Sequence, residues 1–151
     1  MTVPVPTHRE PVRAEWIDYN GHLSEPYYVL VFGHATDGLM DHVGLGPAYR
    51  ERTGCSLYTV EAHVRYLDEV ARGARLEVDA RVLGVDEKRV HYCLEMTVDG
   101  TVVSTEELLG LHVDSTAGRA VSFPEATVEM LRGLTQPAPP YAGRAVGLHP
   151  R

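Results

Sequence analysis

Within five residues, Asp18-Tyr19-Asn20-Gly21-His22, the chain sets a carboxylate, a carboxamide and an imidazole side by side. A carboxylate can attack a carbonyl carbon or take a proton from water, and an imidazole can hydrogen-bond a carbonyl oxygen. Just downstream, Ser24 offers an N-cap oxygen and Pro26 suits a first helical turn, so a helix is expected to begin there. Helix N-termini carry unpaired N–H groups and partial positive charge, which would stabilise an oxygen turning into an oxyanion. Base, polarising group and oxyanion site could therefore share one loop. The same residues also fit a plain Asx turn in which Asp18 and Asn20 only shape the backbone and His22 packs locally.

The flanking elements must hold that loop. Val12, Ala14 and Trp16 alternate with charged residues, which predicts a strand over residues 12–17 that ends before Asp18. From Pro26 to Val43, Tyr28, Phe32, Ala35, Leu39 and Val43 recur at helical spacing. Tyr27, Val29, Leu30 and Val31 fill the remaining circumference, so a helix buried on most sides is expected. Gly33 and Gly38 within it point to close packing, and Gly44 and Gly46 end it. The period then changes to two. Tyr58, Val60, Ala62, Val64 and Tyr66 alternate with polar residues, and so do the sets from Leu76 to Val82 and from Val90 to Val98. Asp99-Gly100 is a hairpin signal leading to a further strand within residues 101–114, whose mixed parity suggests a bulge near Glu106. Residues 124–134 fit a short closing helix.

These elements predict an α+β fold, one antiparallel five-stranded sheet wrapped around a long central helix. Residues 1–135 form the single domain, and 136–151, rich in proline, read as a flexible tail. No internal repeat is evident.

Composition narrows the function. At 151 residues with 44% hydrophobic and 23% charged residues, the chain can bury a core and is not expected to be disordered. A net charge of −7 with no Lys/Arg run argues against nucleic acid. No apolar run is long enough for a membrane span and the first residues lack a signal core, so a cytoplasmic location is expected. Cys55 and Cys93 lie 38 positions apart and suggest plain thiols. The motifs of zincins, serine hydrolases, P-loops and dinucleotide folds are missing. His34, Asp37, Asp41 and His42 lack convincing metal-ligand spacing, and no metal is expected.

The segment from Trp16 to Tyr28, followed by the apolar helix, resembles the active-site segment of hot-dog-fold acyl-CoA thioesterases of the 4-hydroxybenzoyl-CoA type, roughly D-x-x-G-H-[hydrophobic]-N-x-x-x-Y. Element order extends the likeness over about residues 10–135. The Asp18-Tyr19-Asn20-Gly21-His22 form, with the later Glu61-Ala62-His63-Val64-Arg65-Tyr66-Leu67, is most similar to thioesterases of carnitine breakdown, which hydrolyse betainyl-CoA and also occur fused to carnitine dehydrogenase.

That resemblance implies hydrolysis of a short acyl-CoA with no cofactor, in a homodimer or homotetramer whose site lies at the interface. It makes Asp18 the nucleophile or general base, lets the Gly21 backbone approach the thioester, and gives the carbonyl the Glu25 N–H and His22, with Asn20 in the same loop. Ser24 stands where the family often has Asn, and Pro26 follows directly after Glu25.

A trimethylammonium group would need aromatic faces or carboxylates. Trp16, Tyr19, Tyr27, Tyr28, Tyr58 and Tyr66 are available, although aromatics at core spacing are usually core. Glu61 and His63 lie opposite their strand's apolar parity, on a solvated face or under a partner subunit. Arg72, Arg75 and Arg89, near strand ends, could meet CoA phosphates. Two alternatives remain: a hot-dog enoyl-CoA hydratase and a non-catalytic acyl-CoA-binding module.

Overall fold

The computed structural model describes residues 2–150. Its elements run β1 (His8–Pro11), α1 (Glu25–His42), α2 (Pro47–Thr53), β2 (Cys55–Tyr66), β3 (Arg75–Val85), β4 (Arg89–Val98), β5 (Thr101–Asp114), β6 (Arg119–Ala120) and α3 (Glu125–Leu134). Five strands lie antiparallel in the order β1-β3-β4-β5-β2, with the two-residue β6 added beside β5. Helix α1 packs on one face of this sheet, which is the hot-dog arrangement expected from the sequence.

The first strand falls earlier than its alternation suggested. β1 covers His8–Pro11, while Ala14–Trp16 closes into a 3₁₀ turn that buries Trp16. Stacking of Trp16 on Tyr27 (ring centroids 5.5 Å apart) anchors this turn to the start of α1, a contact that period-two counting cannot anticipate. On the helix-facing side of β1, Glu10 accepts hydrogen bonds from His8 (2.9 Å) and His34 of α1 (2.6 Å), clasping strand to helix.

Helix α1 buries one stripe, Tyr28, Val31, Phe32, Ala35 and Leu39, rather than most of its circumference. Val29 and Leu30 are each 42% exposed, and a Cβ built on Gly33 or Gly38 would meet no atom among the described residues. The unexpected α2 carries Tyr49 into the core, where His112 Nδ1–H donates to the Val121 carbonyl (2.9 Å) and Nε2 accepts from the Tyr49 hydroxyl (2.9 Å).

Two bulges reset the strand faces. Opposite β5, the register of β2 shifts between Thr59 and Glu61, leaving Val60 as the extra residue. Ala62, Val64 and Tyr66 therefore share the helix-facing side, whereas Tyr58, Glu61, His63 and Arg65 face outward. On β5 the shift falls at Val103, not near Glu106. Its inward row is Ser104, Glu106, Leu108, Gly110 and His112, while Leu109, Leu111 and Val113 are half-buried on the outer face. Gly110 is needed there, because a Cβ would lie 2.9 Å from Leu57 of the neighbouring strand.

The outer face is partly covered by residues of the tail. The Tyr141 hydroxyl donates to Glu95 (2.8 Å), its ring lies 4.2 Å from the Arg65 guanidinium carbon, and the Gly143 N–H donates to Glu107 (2.9 Å). Both cysteines are free and buried, and among the described residues no helix is long and apolar enough to cross a membrane.

Candidate active site

The loop from Asp18 to His22 closes on itself before α1. Asp18 N–H donates to His22 O (2.9 Å), and Gly21 N–H donates to Asp18 O (3.0 Å). Gly21 adopts φ +83°, a left-handed conformation costly for any residue with a side chain. Asp18 Oδ1 accepts the Asn20 N–H at 2.8 Å and the His22 N–H at 3.4 Å. The Asx turn is therefore real, and it fixes one carboxylate oxygen while Oδ2 has no partner among the described residues.

Backbone pairing places this loop against the helix start. Ser24 N–H bonds to Trp16 O (2.9 Å) and Leu23 N–H to Val70 O (2.8 Å). Ser24 occupies the cap position, yet its hydroxyl makes no capping bond, and Tyr27 N–H is taken by the Ser24 carbonyl at 3.0 Å. Pro26 has no N–H. The Glu25 N–H is a first-turn donor with no acceptor among the described residues, at the positive end of an 18-residue helix.

A cleft of about 660 Å³ opens over these groups, lined by Asp18, Asn20, His22, Leu23, Glu25 and Tyr28 on one side and by residues 66–69 on the other. His22 Nε2 lies 3.2 Å from Glu69 Oε2, and the Tyr28 hydroxyl donates to Asp68 O at 3.1 Å. Tyr28 and Tyr66 meet edge to face with ring centroids 5.2 Å apart. Burial pushes both phenols above their ordinary pKa, helped for Tyr28 by Asp68 and Glu69 and for Tyr66 by Glu25 and Glu106. Both phenols therefore stay protonated at neutral pH.

Five loop and helix residues singled out by sequence, Asp18, Asn20, Gly21, His22 and Glu25, are thus brought together, and Tyr28 joins them. Trp16 and Tyr27 stack as packing partners, with Arg13 5.5 Å from the Trp16 ring, and neither lines the cleft. Tyr19 is 97% exposed. Glu61 and His63 lie on the outer face of β2, across the sheet from α1, in a second cavity of about 610 Å³ with Arg89, His91 and Glu107. Tyr58 shares that outer side. Sequence reasoning missed Asp68 and Glu69, because acidic residues after a strand are common and nothing local signals that residues 66–70 cross over the helix start.

A family model described as the Thioesterase-like superfamily matches residues 12–131, and the chain belongs to that superfamily. It is a thioester hydrolase. Over 159 residues and 99% of both chains it is 41% identical to the betainyl-CoA thioesterase of Pseudomonas aeruginosa. It is also 44% identical, over 95% of its own length, to the L-carnitine dehydrogenase/betainyl-CoA thioesterase of Agrobacterium fabrum, of which it spans 30%. Among solved structures, a putative thioesterase from Pseudomonas putida KT2440 superposes with a TM-score of 0.81 at 34% identity, covering 99% of each chain. A hypothetical Staphylococcus aureus protein in complex with CoA gives a TM-score of 0.89 at 26% identity, covering 99% of this chain and 98% of that one.

Proposed function

We propose that the protein hydrolyses betainyl-CoA to betaine and CoA, as part of carnitine degradation. The observation that carries this reading is the chemistry of the cleft. Asp18, Glu25, Asp68 and Glu69 line it beside the Tyr28–Tyr66 pair, with no Lys or Arg among the lining residues. A trimethylammonium group has no N–H to donate, and it is recognised by carboxylates and aromatic faces. Sequence similarity to the two proteins bearing the betainyl-CoA name supports the same substrate.

In the proposed reaction the thioester oxygen accepts the Glu25 N–H, with His22 as a second donor. Asp18, held through Oδ1, uses Oδ2 in one of two ways. As nucleophile it forms a mixed anhydride and expels CoA thiolate, after which water cleaves the anhydride and restores the carboxylate. As base it removes a proton from water, which attacks the carbonyl, and CoA leaves as the thiol once reprotonated. Solvent ¹⁸O recovered in the Asp18 carboxylate after a single turnover marks the first route.

Strand β2 is a 12-residue sheet edge paired only to β5 among the described residues, with Tyr58, Val60 and Tyr66 exposed along it and Leu67 exposed just beyond its end. Such an edge calls for a cover. We take a second copy as that cover, in a homodimer or homotetramer whose interface closes the cleft at Tyr66 and Leu67. A cytoplasmic setting suits an enzyme of CoA thioesters, with residues 1–135 as the catalytic unit and the Pro-rich segment as its appendage.

The test is thiol release from betainyl-CoA and a panel of neutral acyl-CoAs by wild type and Asp18→Asn. Expected is a preference for betainyl-CoA, and a loss of about 10³-fold in kcat for the variant at unchanged melting temperature. Turnover that survives Asp18→Asn refutes the mechanism. Hydration of crotonyl-CoA without thiol release would favour the hydratase alternative.

A further inference from the structure

The inward row of β5 contains one polar group with no partner among the described residues. Ser104 donates to the Arg65 carbonyl (2.8 Å), and His112 uses both ring nitrogens. Glu106 is 5% exposed, and its Oε2 has no hydrogen-bond partner among the described residues. No ion pair reaches it among the described residues. Buried carboxylates are ordinarily paired or hydrogen-bonded, because leaving them bare in a low-dielectric core is costly.

The position of Glu106 gives a reason. Its cross-strand partners are Leu94 and Val64, and its diagonal neighbours on the same face are Tyr92 and Met96 on β4 and Ala62 and Tyr66 on β2. The Tyr66 phenol is influenced by two carboxyl groups, Glu25 at the mouth of the cleft and Glu106 beneath the helix. Tyr66 also lines the cleft and packs against Tyr28. One aromatic side chain thus stands between the catalytic cleft and the orphan carboxyl.

In a betainyl thioester a single methylene separates carbonyl carbon and nitrogen, so the two are only about 2.5 Å apart. With the carbonyl at the Glu25 N–H, the ammonium stays within the cleft that Tyr28 and Tyr66 help to line. A quaternary ammonium cannot satisfy a carboxylate through a hydrogen bond, and acts on it through space alone. We propose that Glu106 is a further counter-ion, behind the carboxylates that line the cleft, and that it helps select a cationic acyl group, with Tyr28 and Tyr66 as the aromatic wall between them. This assignment rests on the betainyl-CoA reading and adds a specificity-determining residue to it.

The experiment, run at pH 8 so that the Glu106 carboxyl is ionised, compares betainyl-CoA with 3,3-dimethylbutyryl-CoA, in which carbon replaces nitrogen and the charge is gone. Glu106→Gln should lower kcat/KM for betainyl-CoA about 10- to 100-fold, as expected for one lost charge pair at an effective dielectric near 20, and leave the neutral substrate unchanged. Glu106→Met, apolar and of similar length, should shift the ratio in the same way, which guards against a folding defect peculiar to Gln. Equal losses for both substrates, or no change for either, overturn the assignment. A wild-type enzyme without preference for the cation fails the betainyl-CoA reading itself, and Glu106 with it. A wild-type preference that survives both substitutions fails Glu106 alone.

Discussion

Glu106 makes the stability of this protein depend on pH in an unusual direction, independently of any substrate. Burial raises its carboxyl pKa from 4.5 to about 7. Between those values the folded chain holds a proton that the unfolded chain has lost, so stability falls as pH rises. The contribution is fully present below pH 4.5, declines through 7 and is gone above it. A shift of this size corresponds to about 3 kcal/mol, at 1.36 kcal/mol per pKa unit. Glu106→Gln keeps the side-chain shape and removes the titration. Its stability relative to wild type should therefore improve by about 3 kcal/mol between pH 4.5 and pH 8. In a domain of this size that is a change of about 9 °C in the gap between the two melting temperatures. Groups that act in the opposite sense cancel in the comparison. Arg89 and the Lys88 N–H hold Asp86 at about 2. For Glu10, burial works upward but the bonds from His8 and His34 prevail and lower its pKa. Urea melts of both proteins at fixed protein concentration, from pH 5 to pH 8, measure the gap directly. A gap constant within about 0.5 kcal/mol would mean that Glu106 titrates as an ordinary surface carboxylate, and the linkage would be wrong.

Gly21→Ala forces a side chain into φ +83° without any steric neighbour, so its cost is backbone strain of about 1 to 2 kcal/mol. Because the same turn orients Asp18, melting should shift by a few degrees while kcat falls at least about tenfold; a stability loss with full activity would separate the turn from catalysis. Val60→Lys places a charge on the open edge of β2, and light scattering should show a lower oligomeric mass together with loss of thiol release. A mass and activity equal to wild type would exclude that edge as the interface.

The sheet and its central helix were legible because strong period-two and period-3.6 patterns, ended by Gly44 and Asp99-Gly100, leave few alternative packings. The loop from Asp18 to Glu25 was legible because its residue types and Pro26 mark a helix start on their own. What lay beyond reach depended on contacts distant in sequence. Stacking on Tyr27 turned residues 14–16 away from strand geometry. The bulge at Val60 put Tyr58 on the face opposite Ala62, although both fit one alternation in the sequence. The acidic wall of Asp68 and Glu69 exists only because Leu23 and Val70 pair across the helix start.

Strand β5 is the most instructive of these, since its bulge falls at Val103 rather than near Glu106. In the sequence Val103, Leu109, Leu111 and Val113 share one parity that Val102 and Leu108 break; in the fold Ser104, Glu106 and His112 sit inside with Leu108 and Gly110, and Val103 is buried at the bulge. Hydrophobic pattern predicts the inner face wherever burial is the only demand on it. Ser104 and His112 depart from that pattern and compensate with complete hydrogen bonding. Glu106 departs from it without compensation, at a cost the rest of the core must offset. Local rules tend to fail where function imposes a second demand, and an uncompensated failure is more telling than a compensated one. A sequence that only needed to fold would place an apolar residue at position 106; a sequence that must hold a cationic acyl group next to a helix N-terminus, whose own field repels cations, needs negative charge nearby to oppose that field.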